Sequence, residues 1–217
     1  QHQAIDLKGR MLASLPAPFG GMERFKAREA IVAALEADGL LERVEPIMHA
    51  VPHDEKSKSV VLEPMLTEQW YCNVRPLADK AMAAVRDGRT RFASEQSEKT
   101  FFHWLENIQP WCISRQLWWG HQIPAWYADD GAVFVAESAE EAHRLAKAHF
   151  GKPTPLRQDD DVLDTWFSSA LWPFSTLGWP DETPEYKRFY PTSALVTGHD
   201  IIFFWVARMM MMGLHLT

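Results

Sequence analysis

The sequence predicts an α/β fold in which amphipathic helices alternate with short strands. With 217 residues, of which 47% are hydrophobic, the chain can bury a substantial core and is too apolar for disorder. Apolar residues recur at helical spacing in several segments that end at glycine or proline. Late in the chain, a short apolar run, a glycine and a long apolar segment follow one another. This is the strand–turn–helix order of α/β sheets.

The first helices are predicted where periodicity, start and stop signals agree. An amphipathic helix over residues 22–38 is followed by Gly39 as its stop. The next helix begins at Pro76 and ends at Gly88, because proline fits the first helical position and glycine the position after the last. A third helix is predicted over residues 98–108.

The second half continues the alternation. Ser138 and Glu141 form a capping box for a helix that reaches about Phe150, with Gly151 beyond it. Helices are also predicted over 163–172, ended by Pro173, and over 200–212. Short strands are predicted at 59–62, 132–136 and 194–197.

Composition excludes several classes of protein. The formal net charge of -7 gives no support for non-specific nucleic-acid binding, although a local basic face is compatible with it. Cys72 and Cys112 are too few and too far apart for a zinc knuckle or a disulfide framework, which favours a reducing, cytoplasmic location. Pro52 separates His49 from His53, so a metal site there is not expected.

No membrane segment or secretory leader is predicted. The apolar stretch 201–214 is too short to span a bilayer and contains Arg208. The chain does not begin with methionine, and its last apolar helix lacks a polar tail. We therefore expect these residues to be a piece of a larger protein.

The most unusual segment is 111–124, which reads WCISRQLWWGHQIP. Adjacent Trp118 and Trp119 would point to opposite sides of an extended backbone, so both sides are expected to be covered. The segment resembles the S-R-Q-x-x-W-G element of the class I aminoacyl-tRNA synthetases that activate branched aliphatic amino acids. The Trp-Trp-Gly-His version is similar to the valyl branch, because isoleucyl and leucyl relatives usually lack the equivalents of Trp118 and His121.

Three further blocks carry the same resemblance in the family's order: 63–70 (EPMLTEQW), 161–169 (DVLDTWFSS) and 196–205 (VTGHDIIFFW). The sequence departs from the family at 53–58, where Lys58 replaces a glycine, and at 94–97, which lacks the usual proline and tryptophan. The H-I-G-H element, the K-M-S-K-S loop and the acidic part of the editing pocket do not occur in these residues.

The resemblance implies a domain organisation. Residues 1–62 correspond to the C-terminal part of an inserted editing domain, and 63–217 to the return into a Rossmann-like catalytic domain. A small connective segment lies near 128–157. Some relatives hold zinc there through cysteines, which this segment lacks, so no zinc is expected.

Gly198 and Asp200 are the candidates for nucleotide binding. They follow the predicted strand 194–197, at the place where α/β sheets bind ligands, and the helix N-terminus favours negative charge. Asp200 can accept hydrogen bonds from a ribose or an ammonium group, or it can simply cap the helix. The resemblance implies that both residues border the aminoacyl-adenylate.

Trp166 and Ile201 are the candidates for reading the amino-acid side chain, because a small aliphatic substrate is selected by apolar shape alone. The alternative is that both are ordinary core residues. The resemblance implies that they line a valine pocket together with Asp200. The nearby aspartates, Asp159, Asp160, Asp161 and Asp164, lack the pattern of a calcium loop and are expected to form a solvated loop with a helix cap.

No catalytic nucleophile is predicted. Ser114 has no histidine and acid at a motif-like spacing, so serine hydrolase chemistry is rejected. By the resemblance, Arg115 holds the junction into the catalytic domain or touches the tRNA end.

The resemblance implies that the parent protein is an ATP-dependent ligase that activates valine and transfers it to tRNA(Val), with hydrolytic editing of threonyl-tRNA. ATP is the substrate, Mg²⁺ accompanies it, and the parent is monomeric and not membrane-bound. These residues alone are expected to be inactive. The alternatives are a non-catalytic tRNA- or partner-binding module, and the isoleucyl or leucyl relative.

Overall fold

The computed structural model describes residues 3–54, 57–63 and 65–217. Gln1 and His2, Glu55 and Lys56 of the 53–58 turn, and Pro64 of the 63–70 block lie outside the described residues. The helices are α1 (Arg24–Ala37), α2 (Arg75–Arg86), α3 (Glu95–Glu106), α4 (Ala139–Phe150), α5 (Thr165–Ser175), α6 (Pro184–Phe189) and α7 (Arg208–Leu216). The strands are β1 (Tyr71–Cys72), β2 (Trp111–Cys112), β3 (Ser114–Arg115), β4 (Ala125–Tyr127), β5 (Val133–Val135), β6 (Arg157–Gln158) and β7 (Val162–Leu163).

The chain divides into two compact units, residues 1–68 and 69–217. The first unit is built around α1, whose start is fixed by Glu23, since this carboxylate accepts hydrogen bonds from the amides of Phe25 and Lys26. Gly39, with φ of +67°, follows the helix as predicted. The strand predicted at 59–62 is wrong, because within the described residues this segment forms a single isolated bridge, from Val61 to His53.

The second unit is a mixed α/β structure with three small sheets. β1 pairs with β2, β3 pairs with β7, and β4 lies between β5 and β6. Among the strands of the described residues every pairing is antiparallel. The β5–β4–β6 sheet packs on α4 around its own small core of Trp126, Ala136 and Ala142, so this region is a subdomain with independent packing.

The main core of the second unit lies between α2, α3 and α7. Its largest fully buried side chains include Phe101, Leu105, Val74 and Met211. Burying a side chain of this size stabilises the fold by roughly 1.5–3 kcal/mol. Three predicted helices are confirmed in this unit as α2, α3 and α4, and Ser138 and Gly151 cap α4 as expected.

The sequence predicted that Pro173 ends its helix, and this is wrong. Pro173 lies inside α5. A proline at this position cannot donate to the carbonyl of Ser169, four residues earlier. The indole Nε1 of Trp205 donates to that carbonyl instead, at 3.2 Å. A tertiary hydrogen bond therefore replaces the missing helical one.

The end of the chain also differs from prediction. Residues 194–197 form no strand, since no described segment pairs with them, and Val196 is 93% exposed. The predicted helix 200–212 is a 3₁₀ turn (His199–Ile201), a π-helical stretch (Ile202–Ala207) and then α7, which continues to Leu216. π-Helical turns are rare and occur often at functional sites. None of the described helices has the length and apolarity needed to cross a bilayer.

Candidate functional site

The pairing of β3 with β7 joins two of the motif blocks. Ser114 lies opposite Leu163 and Arg115 opposite Val162. This register places the S-R-Q residues directly beside the turn that begins α5. Residues that are about fifty positions apart in the sequence thus share one site.

Asp164 is the centre of this site. Its Oδ2 atom accepts hydrogen bonds from Arg115 Nη2 at 2.8 Å and from Trp111 Nε1 at 2.9 Å, while Oδ1 accepts from the amide of Trp166 at 3.2 Å. The prediction of a helix cap is confirmed, since Asp164 is the N-cap of α5. The prediction that it is solvated is wrong, because Asp164 is only 5% exposed.

The neighbouring aspartates also accept hydrogen bonds from other side chains. Asp159 Oδ2 accepts from Trp70 Nε1 at 2.8 Å and from the Tyr127 hydroxyl at 2.7 Å. Burial acts to raise the pKa of Asp159, but the hydrogen bonds it accepts outweigh burial and hold this pKa below its usual range. Asp160 alone fits the predicted solvated loop, as a surface partner of Arg157.

Arg208 completes the charge cluster. Its Nη1 atom lies 3.6 Å from Asp164 Oδ2, and its guanidinium carbon lies 4.1 Å above the ring of Trp111. Burial lowers the pKa of Arg208, while the charge of Asp164 opposes this and that of Arg115 adds to it. Two guanidinium groups therefore share one buried carboxylate.

A polar network links a third block to the site. The buried Ser114 hydroxyl donates to Gln69 Oε1 at 2.8 Å and accepts from the amide of Trp70 at 2.9 Å. Gln116 Nε2 donates to Gln69 Oε1 at 3.2 Å and to Asp161 Oδ2 at 2.6 Å. Ser114 is thus a structural hydroxyl bonded to an amide, not a nucleophile beside a histidine base.

The candidate pocket residues lie on packed elements. Trp166, in the first turn of α5, stacks on Phe204 with ring centroids 5.7 Å apart and planes at 28°. Ile201 is half-buried at the end of the 3₁₀ turn that leads into Phe204. The structure therefore places Trp166 beside the π-helical stretch that follows Ile201.

Gly198 and Asp200 lie at the start of the 3₁₀ turn that contains Ile201. Gly198 is the N-cap residue of the 3₁₀ turn, so the alternative that Asp200 caps this helix is wrong. A Cβ atom added to Gly198 would lie 2.5 Å from Asp200 Oδ1. The exposed carboxylate of Asp200 therefore folds over Gly198, and a side chain at this position would displace it.

The tryptophan pair is exposed, contrary to prediction. Trp118 is 98% and Trp119 87% exposed, so within the described residues neither side of this segment is covered. The following Gly120 has a φ of +152°, and a Cβ atom there would lie 2.9 Å from Val162. Glycine therefore permits a close approach to β7 at this point, where the amide of Leu163 donates to the carbonyl of His121 at 2.7 Å.

Sequence reasoning missed Trp111, Gln69 and Arg208 as parts of this site. The one available signal was a lone arginine inside the apolar run 201–214, because a buried arginine needs a carboxylate partner. In the part of the chain that the structure describes, no three His, Cys, Asp or Glu side chains come together as a metal site. These residues therefore offer no cage for Mg²⁺, which commonly binds through substrate phosphates and few carboxylates.

Comparison with known proteins identifies the family to which this sequence is similar. The family described as "tRNA synthetases class I (I, L, M and V)" matches residues 20–217. A valine–tRNA ligase of Caulobacter vibrioides is 58% identical over 211 residues, which cover 97% of this chain. Those of Brucella suis and Granulibacter bethesdensis are 61% and 63% identical, over 94% and 90% of this chain.

The match covers only a section of each relative. The chain spans 23% of the Caulobacter protein, 22% of the Brucella protein and 21% of the Granulibacter protein. With the four motif blocks and the family match over residues 20–217, the chain belongs to the class I tRNA synthetases and is similar, over nearly all its length, to valine–tRNA ligases.

Proposed function

We propose that this chain is a section of an ATP-dependent valine–tRNA ligase. In the first step the valine carboxylate attacks the α-phosphate of ATP, forming valyl-adenylate and releasing pyrophosphate. In the second step a hydroxyl of the terminal adenosine of tRNA(Val) attacks the adenylate carbonyl and releases AMP. The attacking groups belong to the substrates, so the protein needs no covalent nucleophile and contributes positioning and charge stabilisation.

The observation that carries this proposal is the meeting of the motif blocks at one site. Asp164 ties Arg115 of the 111–124 block to the first turn of α5, and Gln69 adds the 63–70 block through Ser114. The 196–205 block packs against α5 through Trp166 and Phe204. The similarity to valine–tRNA ligases supports the choice of amino acid.

Within the ligase we assign roles to the exposed and half-buried residues near Asp164 and its partners. Trp166 and Ile201 form apolar walls of the valine pocket, and Asp200 accepts from the substrate's ammonium group or the adenylate ribose. Gly198 borders the adenylate, and its lack of a side chain leaves room for the Asp200 carboxylate. Arg115 acts as a junction residue, since its Nη1 atom donates to the carbonyls of Cys112 and Ser114 and its Nη2 atom to Asp164.

The same proposal includes the domain assignment, the editing reaction and the location of the parent protein. Residues 1–62 belong to an editing domain and 63–217 to a Rossmann-like catalytic domain, with the connective segment near 128–157. Apolar pockets reject an isostere that adds a hydroxyl by only about 10²-fold, a value established for the valine enzyme itself, so hydrolysis of threonyl-tRNA is expected. Mg²⁺ would enter bound to ATP. The parent is expected to be cytoplasmic and monomeric.

Pyrophosphate exchange tests this function. The parent protein should exchange pyrophosphate into ATP when valine is present, and far less with isoleucine or leucine at equal concentration. Residues 1–217 alone should show no exchange. A parent that prefers isoleucine or leucine would identify the other branch, and a parent with no exchange for any of these amino acids would favour a non-catalytic binding module.

A further inference from the structure

Arg208 is a buried charge to which the proposed reaction assigns no role. Among the described residues, the buried polar or charged ones are Ser114, Asp164 and Arg208. Ser114 and Asp164 tie the motif blocks together, whereas Arg208 lies at the start of α7, beyond the 196–205 block. Burying a guanidinium is unfavourable unless its surroundings compensate for the lost water. The contacts of Arg208 therefore indicate what it does.

The first set of contacts runs through the carboxylate of Asp164 to the backbone of Trp166. Arg208 Nη1 lies 3.6 Å from Asp164 Oδ2, which also accepts a hydrogen bond from Arg115 Nη2 at 2.8 Å. Two cations on Oδ2 hold the carboxylate in one orientation, and its other oxygen, Oδ1, accepts from the amide of Trp166 at 3.2 Å. Arg208 thus helps to fix the first turn of α5, which carries Trp166.

The second set of contacts runs through the ring of Phe204 to the side chain of Trp166. The guanidinium carbon of Arg208 lies 5.6 Å from the ring centroids of Phe203 and Phe204. A guanidinium within about 6 Å of an aromatic centroid is attracted to the face of that ring. Phe204 in turn stacks on the Trp166 indole, with centroids 5.7 Å apart and planes at 28°. An aromatic ring beside Arg208 is therefore the ring that backs Trp166.

Both sets of contacts end on Trp166. Its backbone is held by Asp164 and its ring by Phe204, and Arg208 lies against both of these partners. A methionine could pack on the rings but could not pair with a carboxylate. A lysine could pair with the carboxylate but has no flat face to lay on a ring. Arginine is the side chain that does both.

The position of Trp166 matters because an apolar pocket selects its substrate by shape. Valine and isoleucine differ by one methylene group, and a pocket discriminates on such a difference by about 10- to 200-fold. A site keeps this discrimination only if packing and hydrogen bonds behind its side chains hold them within roughly 0.5 Å of the right geometry. A wall that tilted away would admit the larger side chain.

We propose that Arg208 is a positioning residue that holds Trp166 as a wall of the valine pocket, and that it thereby sets the preference for valine over isoleucine. It acts through Asp164 and Phe204 and touches no substrate itself. The inference rests on the proposed function, since it takes Trp166 as the wall that the amino acid meets. It adds to that function a residue outside the motif blocks that determines specificity.

Pyrophosphate exchange by the full-length parent tests the proposal through the ratio of kcat/KM for valine to that for isoleucine. Arg208→Met should lower this ratio by about tenfold, mainly through a higher KM for valine, with the KM for ATP unchanged. The matched control is Arg144→Met, which removes an exposed ion pair with Glu141 in α4 and should leave the ratio unchanged. An unchanged ratio in folded Arg208→Met, or an equal loss for both amino acids, would overturn the proposal. A wild-type parent without valine-dependent exchange would instead refute the proposed function, and this inference with it.

A double-mutant cycle shows whether Arg208 acts through Trp166. In a Trp166→Ala background, Arg208→Met should change the ratio by less than about twofold, since the wall that Arg208 positions is gone. The full change in that background would show that Arg208 acts elsewhere and would contradict the proposal. Phe204→Leu removes the ring contact and leaves the ion pair intact, so it should also lower the ratio, even if Arg208→Met does not fold. Its control is Phe189→Leu at an exposed position of α6, and equal ratios in the two leucine variants would likewise overturn the proposal.

Discussion

Asp164 and Arg115, 49 residues apart in the sequence, meet at 2.8 Å in the interior of the second unit. The same carboxylate caps α5, which carries Trp166, and accepts from the indole of Trp111. One buried side chain thus fixes the start of a helix, the end of β3 and a neighbouring aromatic ring. A substitution of Asp164 should therefore disturb the packing of all three.

Asp164→Asn should destabilise this site by about 3–5 kcal/mol, the cost of breaking a buried ion pair, because the buried Arg208 loses its carboxylate along with the partly solvated Arg115. Hydrogen exchange at the β3 and β7 amides of the parent measures the local loss. Asp160→Asn is the matched control, since Asp160 is exposed. Equal protection in the two variants would contradict a central role for Asp164.

Trp166→Ala should raise the KM for valine by about 10- to 100-fold in pyrophosphate exchange, because losing an apolar wall costs roughly 1–3 kcal/mol of substrate binding. The KM for ATP should change little. Trp172→Ala, in the same helix but half-exposed, removes a similar side chain away from the proposed pocket and serves as the control. Unchanged KM for valine in Trp166→Ala would remove this residue from the pocket.

Gly198→Ala should reduce adenylate formation by about tenfold, since the added Cβ would displace the Asp200 carboxylate and with it about 1.4 kcal/mol of transition-state stabilisation. Single-turnover formation of valyl-adenylate by the parent measures the effect. If the methyl group acts through Asp200, then Gly198→Ala should cost little more in an Asp200→Ala background. Full, independent losses in the double variant would show that Gly198 acts in another way.

Trp205→Phe should lower the free energy of unfolding by about 1 kcal/mol, because it leaves the Ser169 carbonyl without its indole donor. Pro173→Ala restores a backbone amide that can donate to the same carbonyl. The cost of Trp205→Phe should therefore be smaller when Pro173→Ala is present. Hydrogen exchange along α5 provides the measurement, and equal costs in both backgrounds would refute the link between Trp205 and Pro173.

The stability contributed by Asp159 should depend on pH in acid only. Burial acts to raise the pKa of Asp159, but hydrogen bonds from Tyr127, Asp161 and Trp70 lower it below 3.8 in the folded protein. A lowered folded-state pKa means that this contribution is complete above about 3.8 and is lost as the pH falls through the folded-state value. Thermal unfolding of the parent and of Asp159→Asn should differ at neutral pH and converge in strong acid. A constant difference across that range would contradict this assignment.

Local signals in the sequence determined the ends of several helices. The capping side chain of Ser138 and the left-handed Gly151 bound α4 as predicted, because caps and stops act within four residues of the helix ends. The motif blocks also identified the family before any contact was known. These features depend on residue type and spacing, which a single sequence states directly.

Only the tertiary structure decided the burial and pairing of distant groups. Nothing near Asp164 in the sequence indicates that Arg115 and Arg208 will surround it, or that Trp205 will supply the donor that Pro173 lacks. Residues 194–197 have the composition of a strand, but a strand exists only with a hydrogen-bonded neighbour, and none pairs with them in the described part of the chain. The same reason applies to Trp118 and Trp119, whose exposure depends on which surfaces lie opposite them. Residue type states what a side chain can bond to, whereas the fold alone determines which partner it meets.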